Sequence, residues 1–255
     1  MNKISWLAER AVKILREEGV KALAQKSLSY FKKIVKLPIL PFALLKLKHL
    51  DKNCTLDKLL DFSFYGLWGL IRPLQVRNEI SELLKILNKI KPETVLEIGT
   101  YNGGTLFLFS RTASENAIII SIDLPSGYPL WRKLLYKSFA LPKQKIYLLR
   151  MDSHREETLK KVKAILSGRR LDFLFIDGDH AYEGVKRDFE MYSELVKEGG
   201  IIALHDIVPG PEESVGGVPL FWREIKGQYN SKEIVKDWNQ GECGIGLIFL
   251  NRRRS

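Results

Sequence analysis

Cysteine is scarce: the 255-residue chain has two, Cys54 and Cys243, far apart and in no Cys-x-x-Cys pair. That excludes a disulfide framework and suits a reducing compartment. Long apolar runs are missing too. The most apolar stretch, residues 34–47, is interrupted by Lys36, Pro38, Pro41 and Lys46, and falls short of the roughly 20 residues that span a bilayer. The first twenty residues alternate charged and apolar positions, so no signal-peptide core is expected. Internal repeats and low-complexity tracts are absent. With 45% hydrophobic residues, the chain can bury the core of one large α/β domain plus an appendage.

Acidic residues are sparse at one end. Residues 1–50 hold eleven Lys or Arg against three Glu, a surplus of eight within a net charge of +11. The rest of the chain is therefore close to neutral, and Arg252-Arg253-Arg254 accounts for what remains. A basic composition often signals nucleic acid, but charge held outside the fold core suits an anionic membrane surface at least as well. Apolar residues from Ile4 to Phe31 recur at helical spacing, with a break at Gly19. Two readings stay open: surface helices packed on the domain, or basic helices lying with residues 34–47 in a membrane interface. Residues 51–74, with Phe62, Phe64, Tyr65 and Trp68, read as irregular, either a loop closing over a site or an apolar strap. Helical periodicity over Val76–Ile90 stops at Lys91-Pro92. The expected units are 1–73, a basic helical appendage and connector, and 74–255, the main domain.

From Thr94 onward, strand and helix patterns alternate. Strands are expected at Thr94–Ile98, Ala117–Asp123, Lys145–Arg150, Leu171–Asp177, Gly200–His205, Glu233–Lys236 and Ile245–Leu250. Helices are expected over Gly104–Ala113, Glu156–Ser167, Tyr182–Lys197 and Phe221–Tyr229. Such alternation implies parallel crossovers and a doubly wound α/β sheet, with the last two strands close enough for an antiparallel edge hairpin. The first strand runs into a glycine turn, Val95-Leu96-Glu97-Ile98-Gly99-Thr100-Tyr101-Asn102-Gly103-Gly104. Strand, tight turn and helix N-terminus form the place where an α/β protein receives a nucleotide-like ligand. A dinucleotide fingerprint needs a middle glycine for its pyrophosphate, and Tyr101 occupies that position. A phosphate-free nucleoside such as S-adenosylmethionine is not crowded there. Glu97 is placed to face its ammonium, and Asp123, ending the second strand, to take both ribose hydroxyls. Asp152 and Ser153, after the third strand, fall where an adenine amino group would lie.

Two further stretches complete a pattern: Phe175-Ile176-Asp177-Gly178-Asp179-His180-Ala181-Tyr182-Glu183 and Gly199-Gly200-Ile201-Ile202-Ala203-Leu204-His205-Asp206. On these residues the chain from about Leu74 to Leu250 resembles class I S-adenosylmethionine-dependent methyltransferases. Within them it is similar to the small-molecule branch of cephalosporin-hydroxylase-like and macrolide-sugar O-methyltransferases. The resemblance implies a Rossmann-like seven-stranded sheet, mostly parallel with an antiparallel edge hairpin, beside an N-terminal helical appendage. It also implies a cofactor site formed by Glu97, Gly99, Tyr101, Gly103, Gly104, Asp123, Asp152, Ser153 and Asp177.

In an open α/β sheet the site lies at the C-terminal strand ends, so Asp177, Asp179, His180, His205 and Asp206 should converge. Asp177, His205 and Asp206 would suit a divalent cation that lowers a hydroxyl's pKa and orients it. His180 or Asp179 would take the proton, with His205 as another catalytic candidate. By the resemblance, Asp177 matches the acidic ligand of related metal-dependent O-methyltransferases, and His205 with Asp206 their adjacent pair. A histidine at 205, where an oxygen ligand is usual, shifts the preference from Mg2+ toward Mn2+, Fe2+ or Zn2+. The alternative is structural: His180 caps the helix near Tyr182 and His205 bonds within its loop.

Residues 125–142, with Trp131, Tyr136 and Phe139 among Arg132, Lys133 and Lys137, read either as a lid over a glycan acceptor or as an ordinary helix whose aromatics are core. The Gly/Pro-rich residues 208–219 suit a closing loop. The expected protein is an S-adenosylmethionine-dependent O-methyltransferase acting on a small-molecule hydroxyl, a sugar of a glycan or glycolipid. It would be cytoplasmic, or peripheral on the inner face of the membrane through residues 1–50. A nucleic-acid methyltransferase using the basic arm is disfavoured, because Gly-Asp-His follows Asp177 where a base-flipping signature would have Pro-Pro-aromatic. A non-catalytic, membrane-recruited partner is the third reading. The acceptor, the metal and the oligomeric state, a homo-oligomer included, stay open.

Overall fold

The computed structural model describes residues 39–51 and 54–250. The helical reading of residues 4–31, most of the basic segment 1–50 and the Arg252–Arg254 tail lie outside the described residues. Two compact units divide at Leu45/Lys46, so residues 46–73 go with the larger unit. The first described element is helix α1 (Leu40–Lys48). Among the described residues no helix is long and apolar enough to cross a membrane.

In the larger unit, residues 51–74 are more regular than their sequence suggests. Thr55 starts α2 (Leu56–Asp61) by accepting the Lys58 N–H, and the chain runs on into a π-helical turn, Phe62–Gly66. Two turns are too short to display a periodicity, but Leu60, Phe64, Leu67, Leu70 and Ile71 are buried. The segment is therefore a packed apolar strap as far as Ile71, while Arg72, Pro73 and Leu74 at its end border a cavity at the strand ends. Next comes α3 (Arg77–Ile90), ended by Lys91 in the left-handed conformation before Pro92.

Seven strands follow: β1 (Thr94–Ile98), β2 (Ile118–Asp123), β3 (Lys145–Arg150), β4 (Leu171–Ile176), β5 (Val196–His205), β6 (Asn230–Ile234) and β7 (Ile245–Phe249). Their order is β3-β2-β1-β4-β5-β7-β6. The first five are parallel, and β7 runs antiparallel to both β5 and β6. The intervening helices are α4 (Gly104–Thr112), α5 (Arg132–Lys137), α6 (Glu156–Leu166), α7 (Tyr182–Ser193), α8 (Glu212–Val215) and α9 (Val218–Ile225). β1 and β4 are buried along their whole length, as central parallel strands covered on both faces must be. Strand order reverses between β1 and β4, which opens a crevice at their C-terminal ends.

Boundaries shift where packing overrides pattern. The helix expected to reach Lys197 stops at Ser193, because Val196 already pairs with Leu171 in the sheet. Strand β6 lies at 230–234, earlier than its apolar residues suggest. As an edge strand it is mostly polar, and its Glu233 accepts from Trp222 Nε1 and Lys226 Nζ. Helix α9 starts three residues early, with Pro219 in its first turn.

One buried carboxylate ties the two ends of the larger unit together. Glu79 in α3, 1% exposed, accepts the N–H groups of Lys236 and Gly244 and the Gln240 side-chain amide. Glu79→Gln keeps the shape but turns one accepting oxygen into a donor facing donors. The variant should lose about 2 kcal/mol of stability in urea denaturation.

Candidate active site

The glycine turn is built for close approach of chain to chain. Gly99 has φ +97°, and a Cβ there would run into the carbonyl of Asp177, so the tips of β1 and β4 touch only because the side chain is missing. A Cβ on Gly103 would enter the ring of Tyr136. The turn is clamped from two sides. Asp123 Oδ2 accepts the N–H groups of Thr100 (3.2 Å) and Tyr101 (2.9 Å). Tyr136 donates its hydroxyl to Tyr101 O at 2.7 Å, while Arg132 donates to Asn102 O and to the Tyr136 hydroxyl. Tyr128, Tyr136 and Phe139 are buried. The 125–142 insertion is thus a buttress behind the turn, with core aromatics.

Glu97 stands behind the wall. It is fully buried, accepts from Thr105 Oγ1 (2.5 Å) and Ser121 Oγ (2.6 Å), and is not on the cavity surface. Burial pushes its carboxyl up to about 8 against these two hydrogen bonds. Gly103 is likewise off the cavity surface. The ammonium contact expected of Glu97 is therefore closed off by its own hydroxyl partners.

A cavity of about 830 Å³ opens at the strand ends, within the range of small-molecule sites. Gly99, Tyr101, Gly104 and Asp123 line its β1–β2 side, with Asp152 and Ser153 beyond. Asp152 Oδ1 accepts the His154 N–H, and Ser153 O accepts the Tyr192 hydroxyl. Asp177, Asp179, His180, His205 and Asp206 line it from the ends of β4 and β5. Asp179 is exposed and accepts the Ala181 N–H in the turn before α7, whose N-cap, Ala181, has no side-chain cap from either Asp179 or His180.

The remaining four polar groups interlock. His205 Nδ1 lies 3.1 Å from Asp177 Oδ1 and 3.2 Å from Asp206 Oδ2. His180 Nε2 lies 3.7 Å and 3.4 Å from the same two oxygens. Its Nδ1 is 2.5 Å from Ser214 O, a carbonyl that only accepts, so Nδ1 carries a hydrogen. The loop after Asp206 grips His180 from the other side too, because Gly217 donates its N–H to His180 O. Asp177 would be raised by burial, but the charge of His205 and the bonds from both histidines hold it down at about 2. Contact with Asp177 lifts His180 to about 9, and the charge of Asp177 lifts His205 well above its ordinary value in spite of burial. Two carboxylates thus balance two imidazoliums.

That donor set fits a divalent cation, whose two charges can take the place of the two imidazolium protons. Ligand atoms of Asp177, His180 and Asp206 lie within 4.8 Å of one another, as do those of His205, Asp206 and Cys243. His205 Nε2 is buried with no hydrogen-bond partner. These two groups set His180 and Cys243 beside Asp177, His205 and Asp206 as candidates.

Among the lining residues that escaped the sequence reading are Gln75, His154, Glu242 and Cys243. Gln75 donates from Nε2 to Asp177 Oδ2 at 2.8 Å. Cys243, at φ +65°, donates its N–H to Asp206 Oδ1, itself on a residue at φ +62°. Only the Gly-Glu-Cys-Gly run around Cys243 hinted at an unusual backbone.

Residues 96–207 match a family model described as a methyltransferase domain. A Dictyostelium discoideum protein named probable caffeoyl-CoA O-methyltransferase 3 is 31% identical over 186 residues, covering 65% of this chain and 70% of that one. The uncharacterized protein R132 of Acanthamoeba polyphaga mimivirus is 32% identical over 114 residues, 44% of this chain. The chain spans about half the length of that viral relative, 51%. The solved structure of an O-methyltransferase from Bacillus cereus in complex with S-adenosylhomocysteine shares the fold, with a TM-score of 0.51 and 16% identity over 79% of this chain and 93% of that one. Fold and relatives together define a class I S-adenosylmethionine-dependent methyltransferase, and within that class the chain belongs to the O-methyltransferase family.

The elevated His180 makes a pH prediction. A raised histidine stabilises the fold fully below its unfolded value of 6.5 and stops doing so as pH passes about 9. In chelator-treated protein, the stability advantage of wild type over His180→Gln should shrink across that window, read as the gap between thermal melts from pH 6 to 9.5.

Proposed function

We propose that the protein transfers the methyl group of S-adenosylmethionine to a hydroxyl of a small molecule, a sugar of a glycan or glycolipid. The observation that carries this reading is the meeting of Asp177, His180, His205 and Asp206 in a cavity that Asp123 also lines. In this reading the nucleoside lies along Asp123 and Asp152-Ser153, and the sulfonium points toward the acid–histidine end. Asp177, His205 and Asp206 would hold a divalent cation, Mg2+ or Mn2+, with His180 beside them. When bound, the cation orients the acceptor oxygen and lowers the pKa of its proton.

His180 is the base. Its Nδ1–H is fixed on Ser214 O, which leaves Nε2 as the atom that accepts the acceptor's proton. At neutral pH that nitrogen is already protonated, because Asp177 and Asp206 face it unshared. Sharing of these two carboxylates with a bound dication would weaken their hold on that proton and let Nε2 act as the base. The acceptor oxygen then forms its bond to the methyl carbon as the carbon–sulfur bond breaks, leaving S-adenosylhomocysteine. Tyr101, 54% exposed at the cavity mouth, offers a ring face on which a sugar can stack. The basic segment 1–50 supports recruitment to an anionic membrane surface from the cytoplasmic side.

Two measurements test this. S-adenosylhomocysteine should bind in a calorimeter, and tritium from labelled S-adenosylmethionine should pass to glycan or lipid extracts. Transfer should fall with chelator, return with Mn2+, and drop about 100-fold or more in Asp177→Asn, as when a transition-state electrostatic group is removed. Absence of S-adenosylhomocysteine binding would sink the reading at its first step.

A further inference from the structure

Gln75 sits outside the strands that carry the acid–histidine cluster, in the segment Leu74-Gln75-Val76 ahead of α3, yet it lines the same end of the cavity. It is 4% exposed. Its amide nitrogen donates to Asp177 Oδ2 at 2.8 Å, so Oε1 faces away from that carboxylate. That oxygen is buried and meets no hydrogen-bond donor in the protein. An amide oxygen buried without a partner is unfavourable, and it persists where a ligand supplies the missing donor.

A second observation says which donor. The ammonium of S-adenosylmethionine carries three N–H groups, and the carboxylate nearest the turn, Glu97, is sealed by Thr105 and Ser121. With the ribose at Asp123, the amino-acid end of the cofactor passes Gly99 and reaches the side of the cavity lined by Asp177 and Gln75. We infer that Gln75 Oε1 accepts a hydrogen bond from the α-ammonium of the cofactor while Nε2 holds Asp177. One amide thereby links the amino-acid end of the cofactor to the cluster that handles the acceptor. This inference rests on the cofactor orientation proposed above.

The test uses two ligands on the full chain. S-adenosylhomocysteine carries the ammonium, whereas S-adenosyl-4-thiobutyrate keeps the nucleoside and the carboxylate and lacks it. Gln75→Met should weaken S-adenosylhomocysteine about 10-fold or more, the loss of one charge-assisted hydrogen bond, and leave the thiobutyrate analogue within about twofold of wild type, the scatter that a role without contact would give. Gln75→Asn, which retains an amide but withdraws it by one methylene, should show the same selective loss and serves if Gln75→Met folds poorly. Equal weakening of both ligands would reduce Gln75 to a structural support. No weakening of either would assign Oε1 to the acceptor, and both results overturn the inference. Failure of wild type to bind S-adenosylhomocysteine at all would instead count against the proposed function.

Discussion

The site depends on a single contact between backbones, the tip of β1 against the tip of β4. Gly99 can lie on the Asp177 carbonyl only because it has no Cβ and tolerates φ +97°. That approach brings the glycine turn against the strand end that carries Asp177. Asp177 then becomes the common partner of groups from three places in the chain: Gln75 before α3, His180 from the β4–α7 loop and His205 from β5. Each donor lowers the free energy of the ionised carboxylate, and the ionised carboxylate in turn keeps both imidazoles charged. Asp177 and the two histidines are therefore one electrostatic unit.

The glycines of the turn serve the scaffold as much as any ligand. Gly103 makes room for Tyr136 and Gly104 for the Ile71–Pro73 backbone. Asp123 contributes through Oδ2, which fixes the N–H groups of Thr100 and Tyr101, so a residue expected to meet a ribose also shapes the loop beside it. Preorganisation of this kind lowers the ordering cost that a ligand meets on entry.

The sheet was legible because its parallel strands are near-continuous apolar runs separated by helical periodicity, and β1, β3 and the start of β7 lie at their expected residues. Edge strand β6 was misplaced because an edge is polar and carries no burial signal. The strand-end groups Asp177, His180, His205 and Asp206 could be anticipated, since a doubly wound sheet delivers such positions to one rim. Gln75 and Cys243 could not. They reach that rim from loops more than 160 residues apart in sequence, by tertiary contacts that no local pattern encodes. Glu97 shows the reverse failure. Its place in the motif is as expected, but two hydroxyls from neighbouring elements turn it inward.

Glu79 and its three donors have a consequence for how the cavity is finished. The span that matches the methyltransferase family ends at residue 207, yet the wall is completed by Leu74-Gln75 on one side and Glu242-Cys243 on the other. These flanks are held together by Glu79 and by the contact of the Cys243 thiol with Leu74 O. Like a clasp closing a necklace, the two outer segments meet opposite the shared core. A substitution on one flank of this joint is therefore felt by the other, because Glu79 and Leu74 O bond across it.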